Sequence, residues 1–120
     1  MNDPEQLREK YPKILGEGTG YRGHGCEIAC GNGWYDILNQ LCFELQNISD
    51  RTGEQITATQ IKEKFGGLRF YADGANAEHE TAITEAENKA EKTCEVCGSP
   101  GRLRTEKRSW IKTLCNEHDT

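Results

Sequence analysis

The strongest periodic pattern in the chain lies between Asn32 and Ser49. Apolar side chains recur there at intervals of three and four residues, which is the spacing of one face of an α-helix. The stripe consists of Trp34, Ile37, Leu38, Leu41, Leu45 and Ile48. It predicts an amphipathic helix that forms the centre of a hydrophobic core, with Cys42 beside the stripe as a packing residue.

A second pattern alternates between apolar and polar positions from Gln55 to Asp73 and predicts an antiparallel hairpin. With the turn placed at Gly66-Gly67, Phe65 lies opposite Leu68 and Ile61 lies opposite Ala72. The face directed at the core helix then carries Ile61, Phe65, Leu68, Phe70 and Ala72, with Glu63 as the exception. The opposite face carries Lys62, Lys64, Arg69 and Tyr71. These four residues form a basic strip that is able to hold phosphate or an acidic partner, although such strips are commonly solvated sheet faces.

Two further helices are predicted around this core. Asp3 caps a short N-terminal helix, with Gln6 placed to close a capping box, and Pro12 ends it. Asn76 caps a helix from Ala77 to about Lys92, whose outer face is acidic. The inner face of that helix consists of His79, Ile83, Ala86 and Ala90.

Residues 16–33 contain seven glycines and predict an irregular loop around a short strand, Cys26 to Cys30. The simplest interpretation is a connector. Arg22, His24 and the backbone N–H groups offer an anion site as an alternative, although no phosphate-loop motif is present. A second metal site is another alternative, and its donors would be His24, Cys26, Cys30 and Cys42. Because their spacing is not a standard one, we interpret these cysteines as packing residues.

The clearest chemical signal lies near the end of the chain, where 17 residues separate Cys94-x-x-Cys97 from Cys115-x-x-His118. Two such pairs supply the four N and S donors of a tetrahedral zinc site from two tight turns. Gly98 is able to adopt the positive φ that the first turn usually requires. The segment between the pairs predicts strands at Arg102–Arg104 and Ser109–Leu114. This order resembles the zinc-ribbon and treble-clef modules. A treble clef usually continues into a helix, for which only two residues remain.

Other uses of these four residues fit less well. Disulfides require an even set of cysteines in an oxidising compartment, yet the fourth member is a histidine and no secretory signal is present. A Cys-x-x-Cys redox motif normally begins a helix beside a strand. A catalytic zinc keeps an open coordination position, whereas four protein donors predict a closed, structural Zn²⁺ site. We therefore predict an α+β protein with a helix-plus-antiparallel-hairpin core over residues 1–93. A zinc-ribbon or treble-clef-like module over residues 94–120 packs on that core.

Composition narrows the class of protein. Only 34% of the 120 residues are hydrophobic and 29% are charged, so the core is small and a structural metal would stabilise it. The net charge of −5 argues against a nonspecific nucleic-acid binder. The zinc module is nevertheless basic, and a second candidate surface for a partner or an anion consists of Arg102, Arg104, Arg108 and Trp110. No apolar run approaches membrane-spanning length, so we expect a soluble intracellular protein with reduced cysteines.

The chain also carries a set of distinctive motifs. They are Gly-Asn-Gly-Trp-Tyr-Asp at 31–36, Leu41-Cys42, the hairpin sequence at 60–71 with Lys-Phe-Gly-Gly-Leu-Arg-Phe-Tyr at its end, and the terminal Cys-x-x-Cys-Gly and Thr-Leu-Cys-x-x-His. Together they resemble a group of small proteins encoded by bacteriophages and prophages. The resemblance implies a phage or mobile-element accessory protein in the cytoplasm of the bacterial host. It supplies no biochemical activity.

Three functions are compatible with these features. The first is a non-enzymatic interaction protein that binds and modulates a host or antiphage-defence protein, as small phage proteins often do. The second is nucleic-acid binding by the basic zinc module, and the third is sequestration of a nucleotide signal in the glycine-rich loop or on the strip. No Ser/His/Asp constellation is recognisable, and a His-Asn-His nuclease would need more histidines beside the metal. We therefore predict no catalytic residues.

Overall fold

The computed structural model describes residues 2–105 and 111–119, with only the backbone described for Tyr21. The chain has the mixed α+β composition that the sequence predicts. The helices are α1 (Leu7–Lys10), α2 (Pro12–Leu15), α3 (Tyr35–Thr52) and α4 (Ala77–Ala90), with 3₁₀ turns at Pro4–Gln6, Tyr21–Gly23 and Asn32–Trp34. The strands are β1 (Glu27–Ala29), β2 (Thr57–Lys64), β3 (Gly67–Asp73), β4 (Arg102–Arg104) and β5 (Lys112–Leu114). Among the described residues, no helix combines the length and apolar character that crossing a bilayer requires.

The core sheet has three strands in the order β1-β2-β3. β2 and β3 form the predicted antiparallel hairpin, while β1 pairs with β2 in parallel and places Ile28 opposite Ile61. β1 is the short strand predicted within the glycine-rich loop. The core sheet is therefore mixed, and the loop residues on either side of β1 carry the chain to and from it.

The hairpin turn differs from the prediction. Phe65 and Gly66 form the turn with φ values of 54° and 81°, and Lys64 lies opposite Gly67. Two successive residues with positive φ are the requirement of a type I′ turn, whose twist matches that of the strands. Ile61 consequently pairs with Phe70 and not with Ala72. Phe65, predicted to face the core, lies in the turn and is 69% exposed.

Apart from Phe65, this register correction leaves the residues on the two faces of the hairpin unchanged. The observed pairing differs from the predicted one by two residues along β3, and side chains alternate between faces with a period of two. Ile61, Leu68 and Phe70 are buried as predicted. Phe65 therefore replaces Gly67 in the turn, and Gly66, present in both versions, packs against the second hairpin, where a Cβ would lie 2.5 Å from Leu103 Cδ1.

The predicted core helix is confirmed as α3, which follows directly on the 3₁₀ turn at Asn32–Trp34. Four residues of its apolar stripe are buried and two are partly buried against the same cluster. The cluster joins α3 to the short N-terminal helices, the inner face of the sheet and α4. Its fully buried side chains include Leu7, Ile14, Leu15, Trp34, Leu38, Leu45, Ile61 and Leu68.

Asp3 forms the predicted capping box, and Asn76 caps its helix as predicted and also forms a capping box. Asp3 caps the N-terminal turn, and its backbone N–H donates to Gln6 Oε1. Asn76 caps α4 through the His79 N–H, and the His79 ring accepts from the Asn76 N–H in return. The helix ends at Ala90, two residues before the predicted end. α4 thus delivers the chain directly to the cysteine-rich module.

Candidate metal centre

The four predicted ligands converge on one point. The donor atoms of Cys94, Cys97, Cys115 and His118 all lie within 4.8 Å of one another. The Cys97 and Cys115 sulfurs are 3.7 Å apart, and His118 Nδ1 lies 3.8 Å from Cys94 Sγ and 3.1 Å from Cys115 Sγ. A tetrahedral ion with the usual metal–sulfur and metal–nitrogen bonds separates two sulfurs by about 3.8 Å and a sulfur from a nitrogen by about 3.6 Å. A disulfide would bring two sulfurs to about 2.05 Å. The arrangement therefore suits a metal ion.

Two tight turns present these donors. In the first, the Gly98 N–H donates to the Cys94 carbonyl at 2.9 Å, and Gly98 has the predicted positive φ of 83°. In the second, the His118 N–H donates to the Cys115 carbonyl at 3.3 Å. β4 and β5 pair antiparallel between the two turns. The predicted start of the second strand lies partly outside the described residues, and β5 is described from Lys112.

Hydrogen bonds lower the pKa of the partly buried Cys97 thiol of this cluster. Bonds from the Ser99 side chain and backbone lower the pKa of the Cys97 thiol to about 6. Burial and the neighbouring Cys97 and Cys94 thiols raise the pKa of Cys115. A cation between the sulfurs would offset the repulsion that two adjacent thiolates would otherwise feel.

The other cysteines behave as core residues. Burial raises the pKa of Cys26, Cys30 and Cys42 to about 12 in each case, so these thiols stay protonated at neutral pH. His24 is exposed. Within the described part of the chain, these four residues do not assemble into a metal-binding group, which agrees with the packing interpretation.

Arg104 holds the second turn in place. Its side chain is only 5% exposed, although the sequence suggested a partner-binding role for it. The guanidinium donates to the Leu114 carbonyl at 3.1 Å and to Asn116 Oδ1 at 2.9 Å, and it lies 3.3 Å from the Asp119 carboxylate. These three contacts span the segment that carries Cys115 and His118. Arg104 is thus a structural residue turned inward beneath the metal site.

The Gly-Asn-Gly-Trp motif at 31–34 contacts the first ligand turn. The Gly33 N–H donates to the Glu95 carbonyl at 2.7 Å, and the Gly31 N–H donates to Glu95 Oε2 at 2.8 Å. Trp34 Nε1 donates to the Thr93 carbonyl at 2.9 Å. A Cβ on Gly33 would lie 2.2 Å from the Cys94 carbonyl oxygen. Both glycines and the tryptophan are therefore required at the contact between core and module.

The Phe65-Gly66 turn contacts the second hairpin, which β4 and β5 form. Thr113 Oγ1 donates to the Gly66 carbonyl at 2.6 Å, and Lys112 Nζ lies 3.0 Å from Glu63 and 3.5 Å from Glu95. Burial lowers the pKa of the Lys112 ammonium, but the two carboxylates outweigh it and the net pKa lies above its ordinary value. Sequence reasoning missed this network. Its one signal was Glu63, the acidic exception on an otherwise apolar face.

The basic strip lies on the exposed face of the sheet. Lys62 is opposite Arg69, and Lys62 Nζ lies 5.8 Å from the centre of the Tyr71 ring, which is 42% exposed. Lys64 shares this face at the end of β2. The module contributes exposed Arg102 on β4, whereas Arg108 and Trp110 lie outside the described residues.

One serine–histidine pair is also brought together. Ser49 Oγ and His79 Nε2 are 3.0 Å apart, and both side chains are buried. His79 Nδ1 accepts from the Asn76 N–H, so Nε2 carries the proton and donates to Ser49. Ser49 Oγ in turn accepts from the Ile56 N–H at 3.1 Å. The pair links α3, α4 and the entry to β2 as a structural network.

The fold and this site define a mixed α+β protein with a Cys₃His cluster positioned to bind a metal ion. Comparisons with protein-family models, curated proteins and solved structures found no match to the chain. Its function is therefore inferred from geometry, burial and charge.

Proposed function

We propose that the resident metal is Zn²⁺ and that its role is structural. Three thiolates and an imidazole are a donor set typical of structural zinc, and four protein donors leave no position for substrate. The first ligand turn is bonded to the core through Glu95, and Arg104 holds the second ligand turn against β4. Zinc binding free energies of about 10–16 kcal/mol would contribute directly to folding a chain with so small a core. The module would be of the zinc-ribbon or treble-clef-like type.

We further propose that the protein acts by binding and not by catalysis. The observation that carries this proposal is the sheet face, where Lys62, Arg69 and Tyr71 stand exposed or partly exposed beside one another on a metal-braced scaffold. A rigid surface of this charge suits an acidic patch on a partner protein. The phage-like motifs favour a host or antiphage-defence protein as that partner, with the chain as an accessory protein of a phage or mobile element.

Affinity capture of partners from bacterial lysate, with the bound amount measured, tests this function. Tagged protein is incubated with lysate from infected or lysogenic bacteria, with and without nuclease. A strip variant carries Lys62→Glu, Lys64→Glu and Arg69→Glu, and a control carries the same charge change at exposed lysines elsewhere, Lys13→Glu, Lys89→Glu and Lys92→Glu. We expect a stoichiometric protein partner that survives nuclease, is lost by the strip variant and is kept by the control. Equal capture by both variants would place the interaction elsewhere.

A second candidate function is nucleic-acid binding, and exposed aromatic rings favour it. Phe65 is 69% exposed with Lys64 Nζ 5.7 Å from its ring centre, and Tyr71 is similarly paired with Lys62. Single-stranded nucleic acid binds such surfaces through base stacking and phosphate contacts. Loss of all partners on nuclease treatment, and a steep salt dependence of oligonucleotide binding that Tyr71→Ala weakens, would favour this function. Sequestration of a nucleotide signal would instead appear as thermal stabilisation by the nucleotide.

A further inference from the structure

A groove that neither the metal centre nor the proposed binding function uses runs along the free edge of the core sheet. It lies between β3 and α4 and has a volume of about 350 Å³. β3 contributes the three successive residues 70–72, and Ala75 lies beside them. The α4 residues of the groove have the spacing of one helix face and are Glu80, Ile83, Thr84 and Glu87.

The backbone of β3 faces this groove. β3 is the last strand of this sheet, and none of the strands in the described part of the chain lies on its outer side. The Phe70 N–H donates across the groove to Glu87 Oε2 at 3.1 Å. Backbone groups two residues along a strand point to the same edge, so those of Ala72 face the groove as well. The Glu87 carboxylate therefore stands where the carbonyl oxygen of an added strand would accept.

We propose that this groove binds an extended segment of a partner protein, which adds to β3 as a fourth strand and takes the place of the Glu87 carboxylate at the Phe70 N–H. A space between an edge strand and a helix suits such strand addition, in which main-chain bonds give affinity and alternate side chains give specificity. Ala75 and Ile83 are partly buried and offer apolar contacts. Glu80 and Glu87 make the groove acidic, so the segment alternates apolar residues with lysine or arginine.

Tyr71 is shared with the basic strip, but the remaining groove residues face away from it. The groove contains no ligand of the metal cluster, so binding here does not depend on which metal occupies that cluster. The competing explanation for Glu87 is edge protection, in which a carboxylate prevents two copies of the chain from pairing through β3.

A peptide-binding experiment separates these explanations. The metal-loaded full chain is titrated into a fluorescein-labelled ten-residue peptide of alternating valine and lysine at physiological salt. The comparison peptide has the same sequence but carries N-methyl groups on every second residue, on the edge that would pair. We expect saturable binding, amide shift changes at Phe70 and Ala72, and an affinity about tenfold lower for the N-methylated peptide, because paired main-chain bonds are lost.

Two matched variants keep the result interpretable. Ala72→Pro removes one outward N–H, a change that edge strands tolerate, and should weaken peptide binding about tenfold, whereas Ala72→Ser should not. If Ala72→Pro fails to fold, Thr84→Lys is used in its place. It puts a positive charge into the groove that repels the lysines of the peptide, and it should abolish binding. Thr81→Lys, on another face of α4, should leave binding unchanged. Equal binding of both peptides, shift changes elsewhere on the chain, or a groove occupied by a second copy in sedimentation equilibrium would overturn the proposal.

Discussion

At the scale of single residues, Arg104 and Lys112 make contacts within the protein that hold the module together. Arg104 reaches a carbonyl, an amide oxygen and a carboxylate within the second ligand turn. Lys112 lies between carboxylates from the core hairpin and the first ligand turn. Both charges are compensated by partners that are themselves largely buried, so removing one member leaves the others unsatisfied. The basic residues of this module are therefore not equivalent.

Arg104→Ala should lower the free energy of unfolding by about 3 kcal/mol, because Asp119 and the Leu114 carbonyl lose a buried partner. Arg102→Ala, at the exposed start of the same strand, should change it by no more than about 0.5 kcal/mol. Urea denaturation at fixed zinc concentration measures both. Similar losses for the two variants would mean that the buried contacts of Arg104 contribute little.

Cys115→Ser should remove one of three sulfur donors and reduce the metal content from one ion per chain to a small fraction of that value, with loss of the folded state. Cys30→Ser changes a cysteine outside the cluster and should keep the full metal content. Atomic emission on purified protein, together with a thermal melt, gives both readings. A fully loaded Cys115→Ser protein would show that this sulfur is not a ligand.

At the scale of elements, two short turns of the core form the contacts with the module. The 3₁₀ turn at Asn32–Trp34 meets the first ligand turn, and the Phe65-Gly66 turn meets β5. In both places a Cβ would collide with the module: at Gly33 with the backbone of Cys94, and at Gly66 with the Leu103 side chain. The motifs that stand out in the sequence, Gly-Asn-Gly-Trp and Lys-Phe-Gly-Gly, are thus explained by a shared role in docking.

Gly33→Ala should be more destabilising than Gly53→Ala. At Gly33 the new Cβ would meet the Cys94 carbonyl oxygen at 2.2 Å, and we expect a loss of about 3 kcal/mol and weaker zinc binding. At Gly53 there is open space but a φ of 79°, so a loss of about 1 kcal/mol from backbone strain alone is expected. Denaturant titration and competition with a zinc chelator measure the two effects. An equally tight zinc site in Gly33→Ala would contradict the docking role.

At the scale of the whole molecule, hydrogen bonds connect the core to the module. Trp34, at the centre of the core, donates to Thr93 immediately before the first ligand, and Gly66 accepts from Thr113 immediately before the last strand ends. Among the described residues of the module, the buried apolar cluster is small and consists of Cys94, Leu114 and Cys115. Metal binding is therefore expected to be coupled to the stability of the complete chain.

Removal of zinc by a chelator should lower the melting temperature by at least about 10 °C and leave a single transition, because the contacts of the module stabilise the core. Circular dichroism follows the loss of helix content, most of which lies in α3 and α4. Adding zinc back should restore the transition. A normal melt after complete chelation, confirmed by metal analysis, would show that the metal does not support the fold.

Much of this architecture follows from local patterns in the chain. The apolar stripe of α3, the alternation along β2 and β3, the cap at Asn76 and the spacing of the four ligands each express a constraint that neighbouring residues satisfy together. Because side chains alternate strictly along a strand, even a wrong register kept Lys62 and Arg69 on the outer face.

The tertiary structure decided what depends on residues far apart in the chain. It placed the turn at Phe65-Gly66, where Gly66 lies against Leu103, and it turned Arg104 inward toward Asp119. It also added β1 in parallel and set α4 beside the open edge of β3. These outcomes depend on which surfaces meet, and local propensity and spacing carry no information about that choice.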